Sequence, residues 1–94
     1  MVTAFVFINT KRTKINEVAE ALADHEGVSE VYSVSGRFDL IAMIRVKNNE
    51  DLADLVTHHL VAIDGIERTE TQVAFRTFSQ HDLERMFSIG FEEE

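Results

Sequence analysis

Apolar positions along the chain follow two periods, and the switches between them mark the elements. Val2 to Ile8 reads as a strand, with Val2, Ala4, Val6 and Ile8 on one face and Phe5 and Phe7 on the other, so both faces require cover. At Ile15 the period becomes helical: Ile15, Val18, Ala19 and Leu22 form a stripe, with Thr13 expected as N-cap, Glu17 in the first turn and Gly27 as the stop. Val28 to Ser35 and Phe38 to Val46 return to strand, hinged on Ser35-Gly36-Arg37-Phe38. A type II′ turn takes glycine at its first central position, so Gly36-Arg37 predicts a two-residue hairpin loop. Asn48 or Asn49 is expected to cap a second helix with the stripe Leu52, Leu55, Val56, Leu60 and Ile63, ended by Asp64-Gly65. Ile66 to Phe78 predicts a long last strand, with Thr69, Thr71, Val73, Phe75 and Thr77 sharing a face.

The resulting order, βαββαβ, has two halves that echo each other, since each helix is followed by a glycine and an aliphatic residue, Gly27-Val28 and Gly65-Ile66. Right-handed crossovers place both helices on one face of a four-stranded antiparallel sheet, a ferredoxin-like α+β fold. Ile41 and Met43 then join Phe5 and Phe7 on the uncovered face, which predicts a second subunit there and a dimeric α+β barrel. Residues 1–78 form this domain. Residues 79–94 are an extension, expected to hold a short helix capped by Ser79 with Leu83, Met86 and Phe87 on one side. Gly90, Phe91 and the acidic end Glu92 to Glu94 follow, and the apolar part is expected to dock on a neighbouring subunit.

Composition narrows the function. A 94-residue domain keeps a large surface relative to its core, so it gains from association. Without cysteine there is no disulfide, no thiolate nucleophile and no thiolate-bound metal. Seventeen acidic against nine basic residues, net −8, disfavour attraction to phosphate backbones, so no direct nucleic-acid partner is expected. The apolar runs are too short to cross a bilayer, and no basic region precedes the N-terminal apolar stretch, so no membrane partner and a cytoplasmic location are expected. His58 and His59 are adjacent and diverge on a helix, and with His25 and His81 they form no His-x-x-x-His pair. A surface or interface role is expected for them, and no metal. Lys11-Arg12-Thr13-Lys14 contains no glycine to cradle phosphate and reads as a solvated turn. Phe5, Phe7 and Phe38 lack the basic surroundings of an RNA-stacking sheet and read as dimer core.

The candidate chemistry sits at the hairpin. Asp39 is the conspicuous polar group at the mouth of an apolar strand, and two readings of it stay open. In one, Gly36 serves the turn and Asp39 caps backbone amides of the hairpin. In the other, Ser35, Gly36, Arg37, Phe38 and Asp39 form a small-molecule site, with Asp39 accepting from a ligand ammonium and the amides of Gly36 to Phe38 donating to its carboxylate. Tyr32, Asp39 and the histidines are scattered along the chain, so no catalytic residue and no cofactor are assigned.

The run Val34-Ser35-Gly36-Arg37-Phe38-Asp39-Leu40 resembles the strand-turn-strand signature, Thr/Ser-Gly-x-x-Asp, of the effector-binding (RAM) domain of Lrp/AsnC transcription regulators. Gly27-Val28 resembles that family's helix exit, and Glu67-Arg68-Thr69-Glu70-Thr71 its Thr-x-Thr final strand, so the likeness spans Val2 to Phe78. It implies a βαββαβ protomer that dimerises through its sheet, with assemblies from dimer to octamer and a free amino acid bound between dimers near the Gly-x-x-Asp turn. These regulators normally carry an N-terminal helix-turn-helix domain, whereas this sequence starts directly at the first strand. The expectation is therefore a stand-alone effector module, acting on transcription through partners such as a full-length Lrp/AsnC-type regulator. Two alternatives share the topology. An ACT-like domain would place a glycine between first strand and helix, where this chain has Asn9-Thr10-Lys11-Arg12-Thr13. A small dimeric α+β-barrel enzyme would need a buried catalytic constellation.

Overall fold

The structure, a computed structural model, describes residues 1–79. Its elements are β1 (Val2–Thr10), α1 (Ile15–Ala23), β2 (Val28–Ser33), β3 (Leu40–Val46), α2 (Asn49–Asp54) and β4 (Ile66–Val73). The strands form one antiparallel sheet in the order β2-β3-β1-β4, the ferredoxin-like α+β arrangement that the pattern predicts. The expected helix at Leu83 to Phe87 and the acidic end lie outside the described residues.

Register explains why the two faces differ. Ala4 pairs with Ile44, Val6 with Ala42 and Ile8 with Leu40, and all six lie at 0 or 1% exposure beneath the helices. Val18 and Leu22 of α1, with Leu52, Leu55 and Leu60 of the second helical segment, close that layer. Each fully buried aliphatic side chain contributes roughly 1.5–3 kcal/mol relative to exposure, so this face carries most of the stability. The alternate residues face the other way: Phe5 is opposite Met43, and Phe7 opposite Ile41, which also pairs with Tyr32. These positions are half-buried or exposed, and no element of the described chain covers them.

Several boundaries differ from the sequence expectation. The hairpin is not closed by a two-residue turn, because β2 stops at Ser33 and β3 starts at Leu40, leaving a loop over residues 34–39 whose ends are joined by Val34 N–H donating to the Asp39 carbonyl at 3.1 Å. Thr13 caps no helix; the chain enters α1 through a 3-10 turn, Arg12–Lys14, without a side-chain cap. Helix α1 ends at Ala23, and Gly27 does not take a positive φ. Gly27 is instead confined by packing, since a Cβ there would lie 2.9 Å from Leu55 Cδ1 and 3.0 Å from Val46 Cγ1. Asn48 does cap α2, its Oδ1 accepting from Asp51 N–H at 2.8 Å. That helix is not α-helical throughout: Leu55–His59 widens into a π-turn, closed by Leu60 N–H to the Leu55 carbonyl at 3.0 Å. β4 ends at Val73, short of the expected Phe78, and Phe75 stands fully exposed beyond it.

Candidate functional site

The 34–39 loop is built onto the end of β1. Asp39 N–H donates to the Ile8 carbonyl and Thr10 N–H donates to Asp39 Oδ2, both at 2.9 Å. Asn9 Nδ2 donates to the Arg37 carbonyl at 2.8 Å. Phe38 turns back onto the open sheet face, its ring 5.3 Å from that of Phe7, and the Arg37 guanidinium lies 5.9 Å from the Phe38 ring centre. The loop is therefore held at both ends and anchored by an aromatic pair, while its tip stays free.

Gly36 occupies that tip with φ +104°, a conformation that strongly favours glycine, and a Cβ added there would meet nothing within 4 Å. Among the described residues, the amides of Ser35, Gly36, Arg37 and Phe38 donate to no protein acceptor, and Asp39 Oδ1 accepts from none. One oxygen of the Asp39 carboxylate thus serves the fold, while Oδ1 has no protein donor among the described residues. Thr10 adds a polar atom of another kind: its Oγ1 is buried without a hydrogen-bond partner.

The structure thus brings the five sequence-derived residues Ser35, Gly36, Arg37, Phe38 and Asp39 onto one loop. Sequence reasoning missed Asn9 and Thr10, which fasten that loop from 28 and 29 positions away. Their only sequence signal is polarity at the end of an otherwise apolar strand. The strand carrying Thr69 and Thr71 lies on the other side of β1, where Ile8 pairs with Leu40 on one flank and Thr69 on the other.

The remaining titratable groups lie elsewhere. Tyr32 on the open face donates to Glu30, and that hydrogen bond, ahead of burial and the Glu30 charge, raises its pKa. The Lys14 ammonium pairs with Glu17 at 3.1 Å, and this bond, then the charges of Glu17 and Asp64, raise its pKa as well. Histidines separated in sequence meet: the rings of His25 and His59 lie 4.6 Å apart, edge to face. Among the described residues no cluster of three or more His, Asp or Glu side chains has the geometry to hold a metal ion.

Comparison with known proteins decides the family. The Lrp/AsnC ligand binding domain model matches residues 3–83. This chain belongs to the Lrp/AsnC family. It is 34% identical over 77 residues to the HTH-type transcriptional regulator FL11 of Pyrococcus horikoshii, covering 82% of this chain and 50% of that protein. It is 39% identical over 61 residues to the HTH-type transcriptional regulator LrpA of Pyrococcus abyssi, covering 65% and 43%. The chain spans about half the length of the curated relatives it matches. Among solved structures, it superposes on TTHA0845 from Thermus thermophilus with a TM-score of 0.81 at 44% identity, over 85% of this chain and all of that one. The transcriptional regulator NMB0573 of Neisseria meningitidis, solved as an L-Met complex, shares the fold at a TM-score of 0.76 and 12% identity, over 84% of this chain and 53% of that one. The family is one of transcription regulators.

Proposed function

We propose that this Lrp/AsnC domain binds a free amino acid at the corner formed by Ser35, Gly36, Arg37, Phe38 and Asp39, assembles through its open sheet face, and modulates transcription through protein partners. One observation supports the reading: a loop tip with open space where, among the described residues, four amides have no acceptor and one carboxylate oxygen has no donor. A zwitterion needs an acceptor for its ammonium and donors for its carboxylate, and this corner supplies both within a few residues. The relative solved with L-Met supports the ligand class. The half-buried row Phe5, Phe7, Phe38, Ile41 and Met43 supports association, since an apolar patch of this kind is covered in stable assemblies. A second copy seated on it would border the loop, because Phe38 belongs to both.

A thermal-shift screen across the twenty amino acids, with light scattering on the same samples, tests the reading. The expected outcome is a particle of at least two chains and a rise in melting temperature with one or a few amino acids at millimolar concentration. A monomer that no amino acid stabilises would refute it.

A further inference from the structure

The end of the sheet opposite the 34–39 loop carries a cleft of about 470 Å³, a size typical of small-ligand sites, between the end of β3, the α1-β2 connection and the π-turn of the second helix. Its floor is packed: Val46 and Leu55 leave no room for a side chain at Gly27. Its rim is charged with both signs, with Arg45 and Lys47 at the end of β3, Glu26 in the connection, and Asp51 and Asp54 on α2. Yet among the described residues neither Arg45 nor Lys47 forms an ion pair, and Glu26 and Asp51 form none either. Opposite charges gathered on one cleft but not joined leave room for a molecule carrying both.

The π-turn shapes the same cleft. In an α-helix a residue five positions on lies about 140° round the axis, out of reach. The wider turn brings His59 back over Asp54, with His59 Nε2 3.5 Å from Asp54 Oδ2, and sets its ring against His25. His25 is fixed in turn, since its Nδ1 accepts from Gly27 N–H at 3.0 Å, which puts the proton of the neutral ring on Nε2. A π-turn interrupts regular α-helical bonding and often marks a functional site.

The geometry points to this cleft as a second small-molecule site, distinct from the loop corner, for a dipolar ligand whose carboxylate meets Arg45 and Lys47 and whose ammonium meets Asp51 and Glu26. Amide correlation NMR of the full chain tests it, titrating each of the twenty L-amino acids separately to about 10 mM, with acetate and ethylammonium as single-charge controls. At least one amino acid is expected to move the signals of Gly27, Lys47 and Asp51 saturably, with neither control doing so. Arg45→Gln and Asp51→Asn should each weaken that response about tenfold or more, and Asp39→Asn should leave it unchanged. Shifts confined to residues 34–39 would overturn the cleft and leave the loop corner standing, whereas a silent spectrum would overturn both. An equal response to acetate or ethylammonium alone, or one indifferent to Arg45 and Asp51, would overturn the dipolar ligand.

Discussion

Gly36 and Gly65 have nearly the same φ, +104° and +102°, at the same end of the sheet, and opposite surroundings. A Cβ on Gly65 would lie 2.7 Å from Lys14 Cβ and 3.0 Å from Val18 Cγ2, in a turn whose carbonyl accepts from Lys11 N–H at 2.9 Å. On Gly36 it would lie in open space. Gly65 is a structural glycine, required by both conformation and packing where α1 and the entry to β4 touch. Gly36 is required by conformation alone, since a Cβ there would touch nothing.

The largest predicted effect follows from the crowded member of the pair. Gly65→Ala combines an unfavourable φ with a clash against a backbone-proximal carbon, and should cost about 2–4 kcal/mol, seen as a fall in Tm of about 10 °C or more. Asp39→Ala comes next, because it strips the acceptor from a part-buried Thr10 amide; chemical denaturation should show a loss of about 1–3 kcal/mol. Gly36→Ala should cost about 1 kcal/mol, through backbone strain only, while weakening any ligand held at the tip. A Gly36→Ala penalty equal to that of Gly65→Ala would break the contrast.

The smallest effect is on pH dependence. Lys14, whose stem crowds Gly65, and Tyr32, on the open face, both have pKa values raised above the ordinary 10.5 and 10.0. A raised pKa means the folded state favours the protonated form. The contribution is therefore complete below the ordinary values and lost as pH rises through the raised ones. Denaturation midpoints should fall modestly above about pH 10, and Tyr32→Phe with Lys14→Met should flatten that decline. Tyr32 is exposed and the Lys14 side chain is about one-third exposed, so solvent screening keeps the effect small.

Much of this was legible in the chain. Alternation in Val2 to Ile8 and in Phe38 to Val46 located the two central strands, because a residue shifted by one would bury the wrong face. The Leu52, Leu55 and Leu60 stripe located the second helix, but not its π-turn, since a period of apolar residues is compatible with either winding. The loop is longer than its sequence suggests because Gly36-Arg37 satisfies the local rule for a tight turn, while the actual closure depends on hydrogen bonds to Ile8, Asn9 and Thr10, distant in sequence. The same blindness applied to Asp39. Sequence offered a cap or a ligand group as alternatives, and the structure shows one oxygen committed to capping Thr10 and the other without a protein donor among the described residues.

That division of the carboxylate sets the most direct test. Asn at position 39 retains an oxygen to accept from Thr10 N–H but removes the charge that would hold an ammonium. Calorimetric titration of the parent and Asp39→Asn with the amino acid that stabilises the parent most should show an intact fold and an affinity weakened roughly tenfold to a hundredfold, as expected when a hydrogen bond to a charged group is lost. Equal affinity in the two proteins would contradict the account and leave Asp39 as a cap alone.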